Sequence, residues 1–322
     1  ACNIAMRLAK PLRDKPRNIA QAIVDAIPAS ELVDSIEIAG PGFINFHLSA
    51  AAYHRELISI IERGADYGTG EIGAGTKVIV EYVSANPTGP LHVGHGRHAA
   101  YGASVANLLV ATGHDVHQEY YVNDAGRQMD ILTLSVWLRM FAHAGIEAPF
   151  PSNGYHGQYV VDIAREAYDR FADSVTADLL ADPGTLPADA VTLPADATAE
   201  QVRDNKRAAD IYLDAWIEHA RGVLGNETFR EILECALDSI LGDIKEDMAE
   251  FGAIPDEWFS ERSLMDSGAV QRALDRVAEH GKSYEKDGAT WFRATDYGDE
   301  KDRVIVRENG VSTYFASDIA YH

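Results

Sequence analysis

The sequence predicts an α/β protein built on a parallel sheet, with a small N-terminal α+β domain before the sheet and a mainly helical insertion within it. Three observations carry that prediction. The run Val78-Ile79-Val80-Glu81-Tyr82-Val83 is apolar and β-branched almost throughout, the mark of a strand buried on both faces of a parallel sheet. A Pro/Gly loop, a helical pattern and a second strand-like segment follow within about 45 residues, the size of a β–loop–α–β unit of the kind that builds nucleotide-binding sheets. Residues 150–285 then show amphipathic helical patterns and no matching strand signal.

Residues 1–70 combine helical spacing (Ala5, Leu8, Ala9; Ile19, Ala22, Ile23, Ala26) with an alternating stretch, Ser35 to Leu48, around the turn Gly40-Pro41-Gly42. They read as the N-terminal α+β domain, and the glycine-rich run Gly64 to Gly75 links it onward. Residues 71–148 hold the first half of the sheet domain. After the strand at 78–83 come the loop Asn86-Pro87-Thr88-Gly89-Pro90, a helix from Gly94 to Ala111 stopped by Gly113, and a strand from Val116 to Val122. The loop Asn123-Asp124-Ala125-Gly126 and a helix over Arg127–His143 complete it. Residues 149–287 form the insertion, with helices expected over Tyr159–Leu180, Val202–Leu224 and Phe229–Phe251. The heptad Leu186 to Thr192, nearly repeated from Leu193, reads as a mobile surface loop. Strand character returns over 289–293, 303–306 and 313–315, so 288–322 is expected to rejoin the sheet.

With 46% apolar and 24% charged residues the chain is not disordered as a whole. A net charge of −22 argues against nucleic-acid binding over the entire surface. The first 24 residues differ, carrying Arg7, Lys10, Arg13, Lys15 and Arg17 against the single acid Asp14. Two cysteines, Cys2 and Cys235, exclude a disulfide scaffold and show no zinc-type spacing, which fits a reducing compartment and a cytoplasmic location. No apolar run approaches the roughly 18 residues of a membrane span. The chain starts without Met or a signal peptide and stops just after an apolar stretch, so it is expected to be a fragment.

The chemistry concentrates in Ser84 to Arg97, SANPTGPLHVGHGR, where two histidines three apart sit at the handover from strand to helix. A metal would need a third ligand that this loop does not supply. Capping of the helix by exposed histidines competes with a third reading. The helix N-terminus offers free N–H groups and partial positive charge, so imidazoles beside it could hold triphosphate oxygens, with Gly94 letting the backbone approach a base.

This segment resembles the first, HIGH-type signature of the class I aminoacyl-tRNA synthetases, with His92-Val93-Gly94-His95 as the tetrapeptide. The lead-in Ala85-Asn86-Pro87-Thr88-Gly89-Pro90-Leu91, the preceding Val-Glu-Tyr strand, Tyr120-Tyr121-Val122-Asn123-Asp124-Ala125-Gly126-Arg127-Gln128 and the late segment from Gly298 to His322 narrow the likeness. Together with Tyr155 to Tyr159 and Lys286 to Ala289, they resemble the bacterial arginyl-tRNA synthetase family over nearly the whole chain. That resemblance implies a Rossmann-like catalytic sheet and the joining of arginine to tRNA(Arg) through arginyl-adenylate, generally with tRNA bound for the first step.

In matched positions the resemblance makes His92 and His95 catalytic and, with Gly94, ATP-binding; it makes Glu81, Asn86, Tyr314 and Asp318 arginine-binding. Local alternatives stay open beside those roles. Asn86 is also a turn residue before proline, Tyr314 a core residue, and Asp318 a helix N-cap. Glu81 either faces solvent at a strand end or meets a cation, because burying it unpaired is costly. Asp124 and Gln128 lie where a parallel sheet usually binds ligands, with no role assigned. Arg7, Lys10, Arg13, Lys15 and Arg17 would contact tRNA phosphates or form a solvated face. ATP with Mg²⁺ is expected as substrate, with no tightly bound cofactor and no protein-held metal; the full enzyme is expected to be a monomer. A KMSKS-type loop is absent from the sequence, so this chain alone is expected not to complete aminoacylation. The competing functions are a non-catalytic RNA-binding paralogue and another HIGH-type nucleotidylyltransferase.

Overall fold

The computed structural model describes residues 1–181, 185–194 and 196–322. The second copy of the Leu-Pro-Ala-Asp repeat includes Ala195, outside the described residues. The chain divides into two compact units, residues 1–72 with 111–113, and residues 73–110 with 114–322.

The first unit holds α1 (Ile4–Leu12), α2 (Pro16–Ala26), β1 (Val33–Ala39), β2 (Phe43–Leu48) and α3 (Ala50–Arg63). Pro16 opens α2 at a position where its fixed φ suits the helix and its missing N–H costs nothing. The strands β1 and β2 pair antiparallel from Val33 opposite Leu48 to Ala39 opposite Phe43. Ile44 of β2 packs on Ala5, Ile19 and Ala20 from the two helices, forming the small core. Ser49 caps α3 by accepting a hydrogen bond from the Ala52 backbone.

The second unit contains β3 (Lys77–Glu81), α4 (Val93–Ala111), β4 (Asp115–Val122), α5 (Arg127–His143), α6 (Gln158–Phe171), α7 (Ala199–Phe251), β5 (Glu257–Ser260), α8 (Glu261–Asp266), α9 (Ala269–Glu279), β6 (Ser283–Lys286), β7 (Ala289–Phe292), β8 (Arg303–Val306) and α10 (Tyr314–Tyr321). The sheet β3-β4-β5 is parallel, with Glu81 opposite Glu119 and Val122 opposite Ser260. Helix α5 is buried from Met129 to Phe141 on nearly every side, as expected of a helix at the centre of a core rather than on its surface. Tyr120 and Val122 of the sheet, Ala99 of α4, and residues of α5, α6 and α7 share one hydrophobic cluster. The helical region therefore shares its core with the sheet.

Four expectations need correction. The strand at 78–83 is not buried on both faces. It is an edge strand, Ile79 is 65% exposed, and the ladder stops at Glu81 because Val83 and Ser84 turn to φ of 67° and 41°. Two strands do lie inside 149–287, β5 and β6, each only four residues long and too short to show a period; β5 is recognisable by the pairing of Trp258 and Phe259 with Tyr120 and Tyr121. Residues 289–292 and 303–306 do not rejoin the parallel sheet. With β6 they form a separate antiparallel sheet, and β6 and β7 are joined by the tight turn Asp287-Gly288, both at positive φ. Finally, 313–315 is no strand, since Thr313 is extended but caps α10, which begins at Tyr314. The aromatic and β-branched triplet Thr-Tyr-Phe imitates a strand, whereas the spacing of Ala316, Ile319 and Ala320 toward the cluster around Leu264 and Ile305 makes the segment helical.

Helix α7 breaks at Gly225 (φ 73°, ψ 164°), matching the two helices expected over 202–224 and 229–251. Packing between α4 and the end of β3 is tighter still. A Cβ on Gly102 would lie 2.3 Å from the Tyr82 Cβ, an atom that cannot swing away. Gly102→Ala is therefore expected to lower stability by about 1–3 kcal/mol despite alanine's better helix propensity, measurable by thermal unfolding.

Candidate active site

The parallel strands β3, β4 and β5 end on one edge, and the segment from Tyr82 to His92 crosses it before α4 begins. Val83 is β-branched and left-handed, a strained conformation held by its surroundings. The Ser84 hydroxyl accepts a hydrogen bond from the Tyr121 backbone at 3.0 Å, and the Tyr120 hydroxyl bonds both the N–H and the C=O of Ala85 at 3.1 and 3.2 Å. Burial pushes that Tyr120 phenol up to about 12. The bend is thus fixed by β4.

At the start of α4 the two histidines cap the helix reciprocally. The His92 carbonyl accepts from His95 N at 2.8 Å, placing His92 at the N-cap. His92 Nδ1 accepts from Gly94 N at 3.1 Å, and His95 Nδ1 accepts from His92 N at 3.2 Å. This is the capping-box arrangement with imidazoles in place of hydroxyl and carboxylate. Because each Nδ1 is an acceptor, each neutral ring carries its proton on Nε2. The rings stack at 3.8 Å with 17° between planes. Burial, and then the charges of His92 and His98, hold the His95 pKa below its ordinary value, which favours its neutral ring. A Cβ on Gly94 would lie 2.9 Å from His92 Cε1, so glycine leaves room for the ring. A cleft of about 310 Å³ lies against this pair, lined also by Leu91, Ala99, Asp247, Met248 and Phe251. Capping and a donor role are compatible here: Nδ1 does one and Nε2–H the other.

Asn86 is exposed, and its carbonyl accepts from Thr88 N at 2.7 Å, closing a tight turn around buried Pro87. The turn role is therefore occupied by the backbone, and the amide remains at the surface. The Tyr159 hydroxyl reaches the Thr88 carbonyl, tying the motif to α6. Burial raises that phenol to about 12.

Glu81 ends β3 exposed to solvent, the first of its two expected situations. Asp318 lies a full turn inside α10 and Thr313 is the N-cap, which rules out the capping role for Asp318. Its pKa is raised by burial, opposed by His322 and reinforced by the charge of Glu81, so the two carboxylates sense each other. Tyr314 is 74% exposed and is no core residue. It stands four residues before Asp318, on the same helix face.

Asp124 is buried and fully engaged. Its carboxylate accepts from the Ser260 hydroxyl at 2.6 Å and from Arg262 N at 2.9 Å, clamping the loop after β4 to the β5–α8 junction. Gln128 is exposed on the first turn of α5. Glu261 was not foreseen; burial raises its pKa, a Ser317 hydrogen bond lowers it, and Asp124 and Asp318 raise it further. Also unforeseen is a trio on the strands: His117 Nε2 lies 3.1 Å from Glu257 and 3.7 Å from buried Glu119, whose other oxygen takes the Tyr321 hydroxyl. The i, i+2 spacing of His117 and Glu119 is legible in sequence, but Glu257 joins them only through the unrecognised strand β5. In the first unit, Arg7, Lys10, Arg13, Lys15 and Arg17 are all exposed, and Arg17 donates to the Gly40 carbonyl at 2.9 Å.

Residues 1–48 match the family model for the arginyl tRNA synthetase N terminal domain, and residues 57–150 match that for the catalytic domain of tRNA synthetases class I (R). The chain is 54% identical over all 322 residues to an arginine–tRNA ligase of Thioalkalivibrio sulfidiphilus and 52% identical to one of Hydrogenovibrio crunogenus, covering 53% of each. It spans about half the length of these curated relatives. The Thermus thermophilus arginyl-tRNA synthetase structure superposes with a TM-score of 0.60 at 26% identity, over 98% of this chain and 46% of that one. Both family models, the alignment of all 322 residues to about half the length of these arginine–tRNA ligases, and this fold make the chain similar to the class I arginyl-tRNA synthetases.

Proposed function

We infer that the protein containing this chain is an ATP-dependent, AMP-forming arginine–tRNA ligase. The observation that carries the reading is the reciprocal histidine cap, which leaves two Nε2–H donors beside a helix N-terminus at the C-terminal edge of a parallel sheet. In the first step an arginine carboxylate oxygen attacks the ATP α-phosphorus and pyrophosphate leaves. The Nε2–H groups of His92 and His95 donate to the phosphate oxygens that gain charge, acting by electrostatics and not as bases. In the second step a terminal ribose hydroxyl of tRNA(Arg) attacks the arginyl carbonyl and AMP departs.

Glu81, Asp318 and Tyr314 receive the guanidinium, for which two carboxylates supply paired acceptors, and the Asn86 amide meets the backbone end of arginine. Mg²⁺ accompanies ATP as part of that substrate, because the triphosphate charge needs screening. Arg7, Lys10, Arg13, Lys15 and Arg17 meet tRNA phosphates. Lys15 and Arg17 support this role because they stand at the positive end of α2, where cations do nothing for the helix itself. The full enzyme works as a monomer in the cytoplasm, and no helix among the described residues is long and apolar enough to cross a membrane. The test is ATP–pyrophosphate exchange by the full-length protein with each amino acid, with and without tRNA(Arg). Exchange with arginine alone among the amino acids, in the presence of tRNA, is expected. Absence of exchange with every amino acid would leave RNA binding without chemistry as the better account.

A further inference from the structure

Among the described residues, Tyr121 is the one phenol at the sheet's C-terminal edge whose hydroxyl is buried without a hydrogen-bond partner. The residue is 7% exposed, and its hydroxyl is buried with no hydrogen-bond partner among the described residues. Its neighbours are not like that: Tyr120 bonds Ala85, Tyr82 bonds Gln118, Tyr159 bonds Thr88 and Tyr321 bonds Glu119. Buried polar atoms without partners are rare in native proteins and ask for an explanation.

The ring has little freedom to find a partner by moving. Phe259 stacks on it at 5.7 Å and Tyr321 meets it edge-on at 5.0 Å. Its backbone N–H is held by Ser84, next to the left-handed Val83. The carboxylates of Glu261, Asp318, Glu81 and Asp124 all lie within electrostatic range and, after burial itself, raise the phenol's pKa. The hydroxyl therefore keeps its proton, and its lone pairs have no donor. A phosphate or carboxylate would be repelled by those four acids. What fits is a cation that brings hydrogen-bond donors, and a guanidinium has five in one plane.

We propose that the Tyr121 hydroxyl is a specificity-determining contact for arginine, accepting a guanidinium N–H beside those taken by Glu81 and Asp318. The proposal rests on the arginine-ligase reading above. A lysine ammonium can satisfy the two acids as a point charge, whereas a planar guanidinium carries further N–H groups for another acceptor.

Tyr121→Phe in the full-length enzyme tests this, by tRNA-dependent ATP–pyrophosphate exchange together with thermal unfolding. The arginine KM is expected to rise about 10–100-fold, as for loss of one hydrogen bond to a charged group, with the ATP KM unchanged. The inhibition constant of agmatine, which keeps the guanidinium but lacks the carboxylate, should rise by a similar factor. Tm should stay level or increase, because phenylalanine removes an unpartnered polar atom. An unchanged arginine KM with a higher Tm would overturn the proposal, as would a lower Tm with arginine and ATP KM rising together. A wild-type enzyme without arginine-dependent exchange would fail the ligase reading instead, and agmatine titration of wild type and Tyr121→Phe by calorimetry would then still decide the role of Tyr121.

Discussion

His95→Ala in the full-length protein is expected to lower kcat for adenylate formation by about 10²–10³, the usual cost of removing one donor placed for transition-state charge. The arginine KM should change little, because the proposed role of the imidazole is toward the ATP phosphates and not toward arginine. Alanine removes two things at once, the Nε2–H donor and the Nδ1 acceptor that holds the His92 N–H. Asparagine separates them: its amide oxygen can accept from His92 N, keeping the helix cap, while it cannot reproduce the donor at the Nε2 position. His95→Asn should therefore unfold near the wild-type temperature and remain as impaired as His95→Ala. Near-normal activity in His95→Asn would mean that the ring matters only as a cap. Since each ring orients the other at 3.8 Å, His92→Ala and the double variant should fall short of additivity. The pH dependence has a definite sign. The folded-state pKa of His95 lies below 6.5, so the unfolded chain binds protons first as the solution is acidified. The contribution of this cap to stability is complete above 6.5 and is lost as pH falls through the lowered value, where Nδ1 takes a proton and can no longer accept.

Local signals were enough for some of this architecture. The helix over Arg127–His143 and the strand ending at Val122 follow from runs long enough to display a period, and the histidine pair announces itself by adjacency in the chain. What stayed hidden depends on pairing across long separations. The strand β5 has four residues and meets β4 from more than a hundred positions away, so neither Glu257 beside His117 nor Glu261 beside Asp318 has a local signature. Thr313–Phe315 shows the opposite failure, where strand-like residue types begin a helix because Ala316 and Ile319 have a core to face. Asp124 occupies the position where ligand contacts are expected, yet its oxygens are taken by Ser260 and Arg262. Sequence can place a carboxylate at the edge of a sheet; only the coordinates tell whether it is free.

Asp318→Asn should raise the arginine KM by about 10–150-fold, the range for one hydrogen bond to a charged partner, while leaving the ATP KM close to wild type. The same substitution is expected to make the unliganded protein more stable. Burial and the nearby charge of Glu81 raise the Asp318 pKa above 3.8, so holding this carboxylate ionised without a cation opposes folding. With a raised folded-state pKa, the folded chain binds the extra proton, and stability declines as pH climbs from 3.8 through the raised value. Asparagine abolishes that titration and its cost at neutral pH. A guanidinium does the same for the wild type by supplying the missing positive charge, so arginine should raise Tm more in wild type than in Asp318→Asn, and its affinity should strengthen with pH across that window. Glu81→Gln should likewise raise the arginine KM, and because the charge of Glu81 acts on Asp318, its effect on stability should be smaller in the Asp318→Asn background than alone. Both directions of change are expected of the proposed arginine pocket if it destabilises its own chain until the substrate arrives. Lower Tm in Asp318→Asn, together with an unchanged arginine KM, would instead place Asp318 among the residues that merely hold α10 in position.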